Sequence, residues 1–338
     1  MNRHLLREPE PPGPRGPLSA AVVACLRGTG PLPAAPGAGA ADPYGDDLQL
    51  ALYLCYELHY RGFAGVRPEL EWDPGLLAVR GALEERFLSA LRADTPVHDS
   101  LDEALAALLT EPAQGTDVTR FLCDEGELWH LREYAAQRSL YHLKEADPHA
   151  WVLPRLRGRA KAAMAAVEFD EFGGGRAERV HARLFAGLMA DLGLDPAYGR
   201  HLDAACAEML AVVNLMSLFG LHRRLRGALV GHFADVEITS SPGSRRLAEA
   251  MRRTGAGPAA EFFYDEHVVA DAVHEQVVRH DVIGGLLAEE PELADDVAFG
   301  VGATEFLEER LAGLLLGRWR AGRSSLRVPL GPVSTHAS

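Results

Sequence analysis

The stretch Tyr264-Asp265-Glu266-His267-Val268-Val269-Ala270-Asp271-Ala272-Val273-His274 decides how the chain reads. It contains His-x3-Asp-x2-His. At about 100° per residue, His267, Asp271 and His274 fall within an arc of roughly 60° on one face of a helix. Tyr264, Ala270, Val277 and Val278 share that face, so the stripe is expected to point inward. Two imidazoles and a carboxylate in an apolar stripe are costly to bury without partners. A metal ion satisfies all three at once; a pair of core histidines hydrogen-bonded to a nearby acid is the other reading.

Outward from this stretch the chain reads as all-α. The run Asp47–Arg61, behind Asp46 as N-cap, ends before Gly62, and Leu76–Arg92 and Ser100–Thr110 follow. Asp117–Ala146 reads as one or two helices stopped by Asp147-Pro148. Trp151–Phe172 is stopped by Gly173-Gly174-Gly175, and Arg176–Leu194 ends in Gly193 and Pro196. Between Pro196 and Val236, Ala204–Gly220 is the most apolar part, and Ser241-Pro242 reads as the start of another helix. Ala259–Leu287 carries the histidine motif, and Thr304–Leu316 is the last clear helix. Strand-like alternation is nearly absent and no internal repeat is visible. The expected organisation is a disordered Pro/Gly/Ala-rich arm over 1–45, with a short helix near 18–27. A helical extension over 46–115, a main helical unit over 116–322 and a tail over 323–338 follow it.

Composition narrows the function. Of 338 residues, 47% are hydrophobic and 24% charged, enough for a packed core. The net charge of −14 disfavours non-specific nucleic-acid binding and anionic membrane surfaces. Lys144 and Lys161 are the only lysines among 34 basic residues, a pattern of genome composition. Cys25, Cys55, Cys123 and Cys206 are scattered without C-x-x-C spacing, which argues against a disulfide framework or thiolate zinc site. No run approaches membrane-span length. Pro11, Pro12, Pro14 and Pro17 interrupt the faint likeness of the N-terminus to a signal peptide, so a cytoplasmic location is expected.

A dinuclear site needs ligands from other helices, above all carboxylates that offset two cations. Glu145, in Tyr141-His142-Leu143-Lys144-Glu145-Ala146-Asp147-Pro148-His149, stands at the end of one helix. Glu171, in Phe169-Asp170-Glu171-Phe172-Gly173-Gly174-Gly175, ends the next, and His181 opens the one after. Taken singly, each has an ordinary structural explanation.

Together, Glu145, Glu171, His181, His267, Asp271 and His274 resemble, in order and separation, the ligand set of the haem-oxygenase-like diiron oxidases, the iron-containing redox enzymes. Lys144-Glu145-Ala146-Asp147-Pro148-His149, Pro154-Arg155-Leu156, Asp170-Glu171-Phe172-Gly173 and Tyr264-Asp265-Glu266-His267 carry the same likeness, which covers roughly residues 120–320. The resemblance implies a haem-oxygenase-like bundle of about seven core helices that binds two irons in place of haem. It implies O2 as co-substrate, an external electron donor and a small-molecule substrate, with N-oxygenation of an amine or guanidine the first expectation. Oxidative decarboxylation or desaturation of a fatty-acid-like chain by the same site is the alternative, and a non-catalytic metal-binding scaffold is the rival from another class. A metal-free enzyme on the same fold is disfavoured because all six candidate ligands are present. Glu171 is expected to bridge the two metals, and a homodimer is expected. The mixed carboxylate and imidazole set suits iron or manganese and not a soft-metal site.

Four other patterns compete. Glu127-x-x-His130 and Glu178-x-x-His181 imitate ferritin-like ligand pairs, but that reading leaves the downstream motif unexplained. His59 is the one tempting proximal haem ligand. Gly173-Gly174-Gly175 lacks the strand and the Lys-Ser/Thr of a phosphate loop. Leu221-His222-Arg223-Arg224-Leu225-Arg226 reads as a solvated basic face.

Overall fold

A computed structural model describes residues 8–31, 39–110 and 117–330; within them, the side chains of 269–272 lie outside the described set. The chain is all-α, and no strand occurs among the described residues. Helices α1 (Pro17–Leu26), α2 (Asp46–Glu57), α3 (Pro74–Asp94) and α4 (Leu101–Leu108) precede α5 (Val118–Asp124), α6 (Leu128–His142) and a short α7 (Asp147–Ala150). Then come α8 (Gly158–Glu171), α9 (His181–Asp191), α10 (Ala207–Leu221), α11 (Arg226–Thr254), α12 (Pro258–Val277), α13 (Gly284–Glu289) and α14 (Ala294–Arg320). Between α12 and α13 the backbone widens into a π-helical segment, Val278–Ile283.

Helix α10 lies at the centre because its sequence leaves it no polar side. From Met209 to Gly220 every residue is buried, as expected for a helix that is apolar all round. It packs on α2, α11 and α14. The buried Asn214 amide donates to the Gln49 carbonyl and to its Oε1, both at 2.8 Å, and so ties α10 to α2 inside the core. Helix α2 is buried from Leu48 to Glu57. It therefore belongs to the same core as the helices of the main unit.

Helix α11 runs beside both α12 and α14. Gly231 and Gly300 let α11 and α14 approach closely. A Cβ on Gly231 would meet the Val297 carbonyl oxygen at 2.0 Å, and one on Gly300 would meet that of Ala228 at 2.0 Å. Helix α11 ends in Gly255, left-handed at φ 68°. Pro258 then opens α12, whose first N–H groups at Ala259 and Ala260 donate to Asp191 Oδ2 at the end of α9 (2.7 and 3.2 Å). This cap ties the helix that begins with His181 to the helix that carries His267 and His274.

Several boundaries differ from the sequence expectation. Asp147-Pro148 does not simply stop a helix: it opens α7, because proline fits the first helical turn, where its missing N–H has no partner to lose. Ser241-Pro242 does not start a helix, since α11 runs through it. An interior proline costs about 3 kcal/mol; packing of α11 against α12 and α14 on both sides of it offsets that cost. Residues 8–31, expected to lack structure apart from the short helix, pack onto the bundle beyond α1. Arg15 donates to the Leu202 carbonyl and pairs with Asp46, and Gly13 donates to Asp203. The expected tail beyond 330 and the arm residues 1–7 and 32–38 lie outside the described residues.

Candidate metal centre

Five elements converge on one interior cluster. Glu145 sits in the turn between α6 and α7, three residues beyond the end of the helix that was expected to carry it. The turn closes through Ala146, which adopts φ 75° despite its Cβ, a conformation costing about 1–3 kcal/mol that the surrounding structure must enforce. Glu171 is the last residue of α8 and His181 the first of α9. Between them Gly173 has φ 73°, and a Cβ there would meet the Arg179 carbonyl carbon at 2.6 Å. The triple glycine is a tight reversal that delivers His181 back to Glu171, Nδ1 to Oε2 at 2.7 Å.

His267, on α12, donates from Nδ1 to the Phe263 carbonyl at 2.7 Å. That bond fixes the tautomer and leaves Nε2 with its lone pair toward the cluster. His267 Nε2 lies 4.0 Å from Glu145 Oε2, and both atoms are buried with no hydrogen-bond partner among the described residues. Glu145 Oε1, by contrast, accepts from His142 Nδ1 at 2.9 Å. Ligand atoms of Glu145, Glu171, His181 and His267 all lie within 4.8 Å of one another.

A second group adjoins the first. Glu171, Glu237 and His274 also offer ligand atoms within 4.8 Å of one another. His274 Nδ1 is 3.1 Å from Glu237 Oε2 and 3.7 Å from Glu171 Oε1. Glu171 therefore presents Oε2 to His181 and Oε1 to His274, one oxygen to each group. The side chain of Asp271 lies outside the described residues; its position on α12 falls between those of His267 and His274.

Neighbouring groups shift the titration of both ends of the cluster. Burial alone would lower the His274 pKa; the hydrogen bond to Glu237, the charges of Glu237 and Glu171 and a hydrogen bond donated to Asp170 outweigh it and raise it to about 9. Burial would raise the Glu145 carboxyl, yet His142, His267 and His181 hold it well below its ordinary value. The cavity wall beside these groups includes Tyr141, His149, Val236 and Ser240. Burial and the neighbouring His232 push His149 down to about 3, so it stands neutral there.

Glu237 is the residue that sequence reading missed. It follows Val230, Phe233 and Ala234 at helical spacing, and all three are buried, the same inward-face signal that singled out His267. Starting a helix at Ser241-Pro242 removed the helical phase that would have shown it. His142, the hydrogen-bond partner of Glu145, stands in the stretch that carries Glu145 but takes no role in the sequence reading.

The competing patterns have structural explanations. His130 accepts from the Glu127 N–H at 2.9 Å and closes the first turn of α6. His59 pairs with Glu71 and contacts Arg80. In the basic cluster, His222 pairs with Glu84 and Arg226 with Glu290.

Each of the two groups could hold a metal ion. The set is all oxygen and nitrogen, it lies in the interior, and it includes two buried acceptor atoms, Glu145 Oε2 and His267 Nε2, with no hydrogen-bond partner among the described residues. The sequence model of the iron-containing redox enzymes matches residues 132–309. The chain belongs to that family. As an iron-containing redox enzyme it is an oxidoreductase on an all-α, haem-oxygenase-like fold. Comparison with curated proteins gives no match. Among the described residues no helix is long and apolar enough to cross a membrane.

Proposed function

We propose that this iron-containing redox enzyme is an O2-dependent, non-haem diiron oxygenase. The observation that carries the reading is the position of Glu171, shared by two ligand groups with one oxygen toward each. Glu145, His181 and His267 would hold one iron; Glu237 and His274, with Asp271 as a further candidate from α12, would hold the other. When bound, the two ferrous ions would supply the electrons that reduce O2. The protein's own groups do the rest. Three carboxylates offset most of the charge of two divalent cations. The Phe263 carbonyl fixes the tautomer of His267, and His142 orients Glu145 by one oxygen so that the other faces inward.

The substrate favoured is a small amine or guanidine, converted as R2NH + O2 + 2e− + 2H+ → R2NOH + H2O with an external electron donor. Support comes from the cavity wall, where Tyr141 and His149 offer hydrogen-bonding groups to an N–H substrate. An alkyl chain, as needed for decarboxylation or desaturation, would leave the buried His149 Nε2 without a partner. We place the protein in the cytoplasm, as a homodimer in specialised metabolism.

Anaerobic loading with Fe(II) followed by O2 tests the reading. Two irons per chain and a transient visible absorption on mixing with O2 are expected. Slow, featureless oxidation would replace the enzyme by a metal-binding scaffold.

A further inference from the structure

The family match begins at residue 132, yet the turn that carries Glu145 is gripped from before it. Glu57, the last residue of α2, is fully buried, and Lys144, the residue before Glu145, is 2% exposed. Lys144 Nζ donates to Glu57 Oε2 at 2.6 Å. The ammonium also lies over the rings of Tyr53 and Tyr60, at 4.8 and 4.4 Å from their centroids. Tyr198 donates to both Glu57 oxygens at 2.8 and 2.9 Å, so the carboxylate is held from two sides. Arg61, four residues on, donates to the Leu143 carbonyl at 3.2 Å and stacks on Tyr198. The two residues immediately before Glu145 are therefore fixed by α2 and the turn that follows it. The residue immediately after, Ala146, has φ 75°, which it keeps only if its neighbours compel it.

A buried ion pair is weak evidence of stabilisation, because desolvation cancels much of the attraction. Its value lies in fixing one arrangement. Here the arrangement it fixes is a single turn whose one buried, unpartnered acceptor is Glu145 Oε2.

We infer that Glu57 and Arg61 are positioning residues for Glu145: the segment preceding the family-matched region completes the iron subsite formed by Glu145, Glu171, His181 and His267. The inference rests on the metal-centre reading above. It assigns the N-terminal helices a part in metal binding, beyond packing.

The test is an anaerobic Fe(II) titration of the full-length chain, read by bound-metal stoichiometry and Mössbauer signature, with thermal melting in parallel. The variant Glu57→Gln/Lys144→Met removes the ion pair without leaving a buried charge unpaired. One of the two irons is expected to bind about tenfold more weakly or more, the size of effect seen for groups that orient a metal ligand, while the other binds as in the wild type. Arg61 is exposed, so Arg61→Gln provides a variant that folds if the first does not, with the same selective loss in smaller measure. As a control, Arg138→Met/Glu308→Gln breaks a two-pronged ion pair that starts on α6 but does not touch the Glu145 turn; it should lower the melting temperature and leave both irons bound. Wild-type affinity for both irons in Glu57→Gln/Lys144→Met and in Arg61→Gln would overturn the inference and leave the metal centre standing. A wild-type chain that binds no iron would overturn the metal-centre reading itself.

Discussion

His181 Nδ1 lies 2.7 Å from Glu171 Oε2, although a triple-glycine reversal separates them in the chain. The end of one helix and the start of the next are thereby folded onto one point, and the same Glu171 turns its other oxygen toward His274. The reversal is what brings His181 back to Glu171.

Gly173→Ala should disrupt it. Its Cβ would meet the Arg179 carbonyl carbon at 2.6 Å, at a φ that L-residues avoid. The expected cost is about 1–3 kcal/mol of stability, with iron lost from the Glu145, Glu171, His181 and His267 group. Thermal melting and an iron titration check both; a variant with unchanged melting and full iron would show that the reversal is not what places His181.

Glu237→Ala should leave one iron per chain and remove the other. The retained iron should keep the signature of a mixed site, because two histidines and two carboxylates form the first group. Two irons bound to Glu237→Ala at wild-type affinity would exclude Glu237 as a ligand.

His142→Phe should keep the fold, since the half-buried ring packs beside Phe185 and Phe263, and should weaken one iron by about ten- to a hundredfold. The mechanism is loss of the hydrogen bond to Glu145 Oε1. Equilibrium titration in the absence of O2 gives the number; unchanged affinity would assign His142 to packing alone.

The metal-free protein should lose stability between about pH 6.5 and 9. His274 is raised to about 9, so its favourable protonated form is fully present below its unfolded pKa and is lost as pH rises through 9. Burial, with Glu171 and Glu237 nearby, also pushes Glu168 up to about 9. The folded state then holds more protons than the unfolded one, and stability falls with rising pH. Iron must displace the His274 proton, so affinity at the second group should rise over the same interval. Denaturant titrations of the metal-free chain at several pH values check the first claim; a flat profile contradicts it.

The fold class was legible in the sequence because helices announce themselves by apolar spacing and glycine or proline punctuation; of the six candidate ligands named from the family likeness, Glu145, Glu171, His181, His267 and His274 come together, and the side chain of Asp271 lies outside the described residues. His267 and His274 could be read as sharing a face, and Gly173–Gly175 as a break. Pro242 was misleading: a local signal for a helix start was overridden by packing on both sides of α11. That error hid Glu237, whose inward phase needs the helix to be continuous from Val230. The Glu57–Lys144 pair was beyond reach, since nothing in the sequence brings the end of α2 to the turn before Glu145.

The most direct test of the central claim is a count of iron per chain, with Mössbauer spectra, after anaerobic reconstitution and exposure to O2. Two irons per chain, magnetically coupled in the oxidised form, are expected from a carboxylate shared between two ligand groups. One iron, or two that behave independently, would contradict the account.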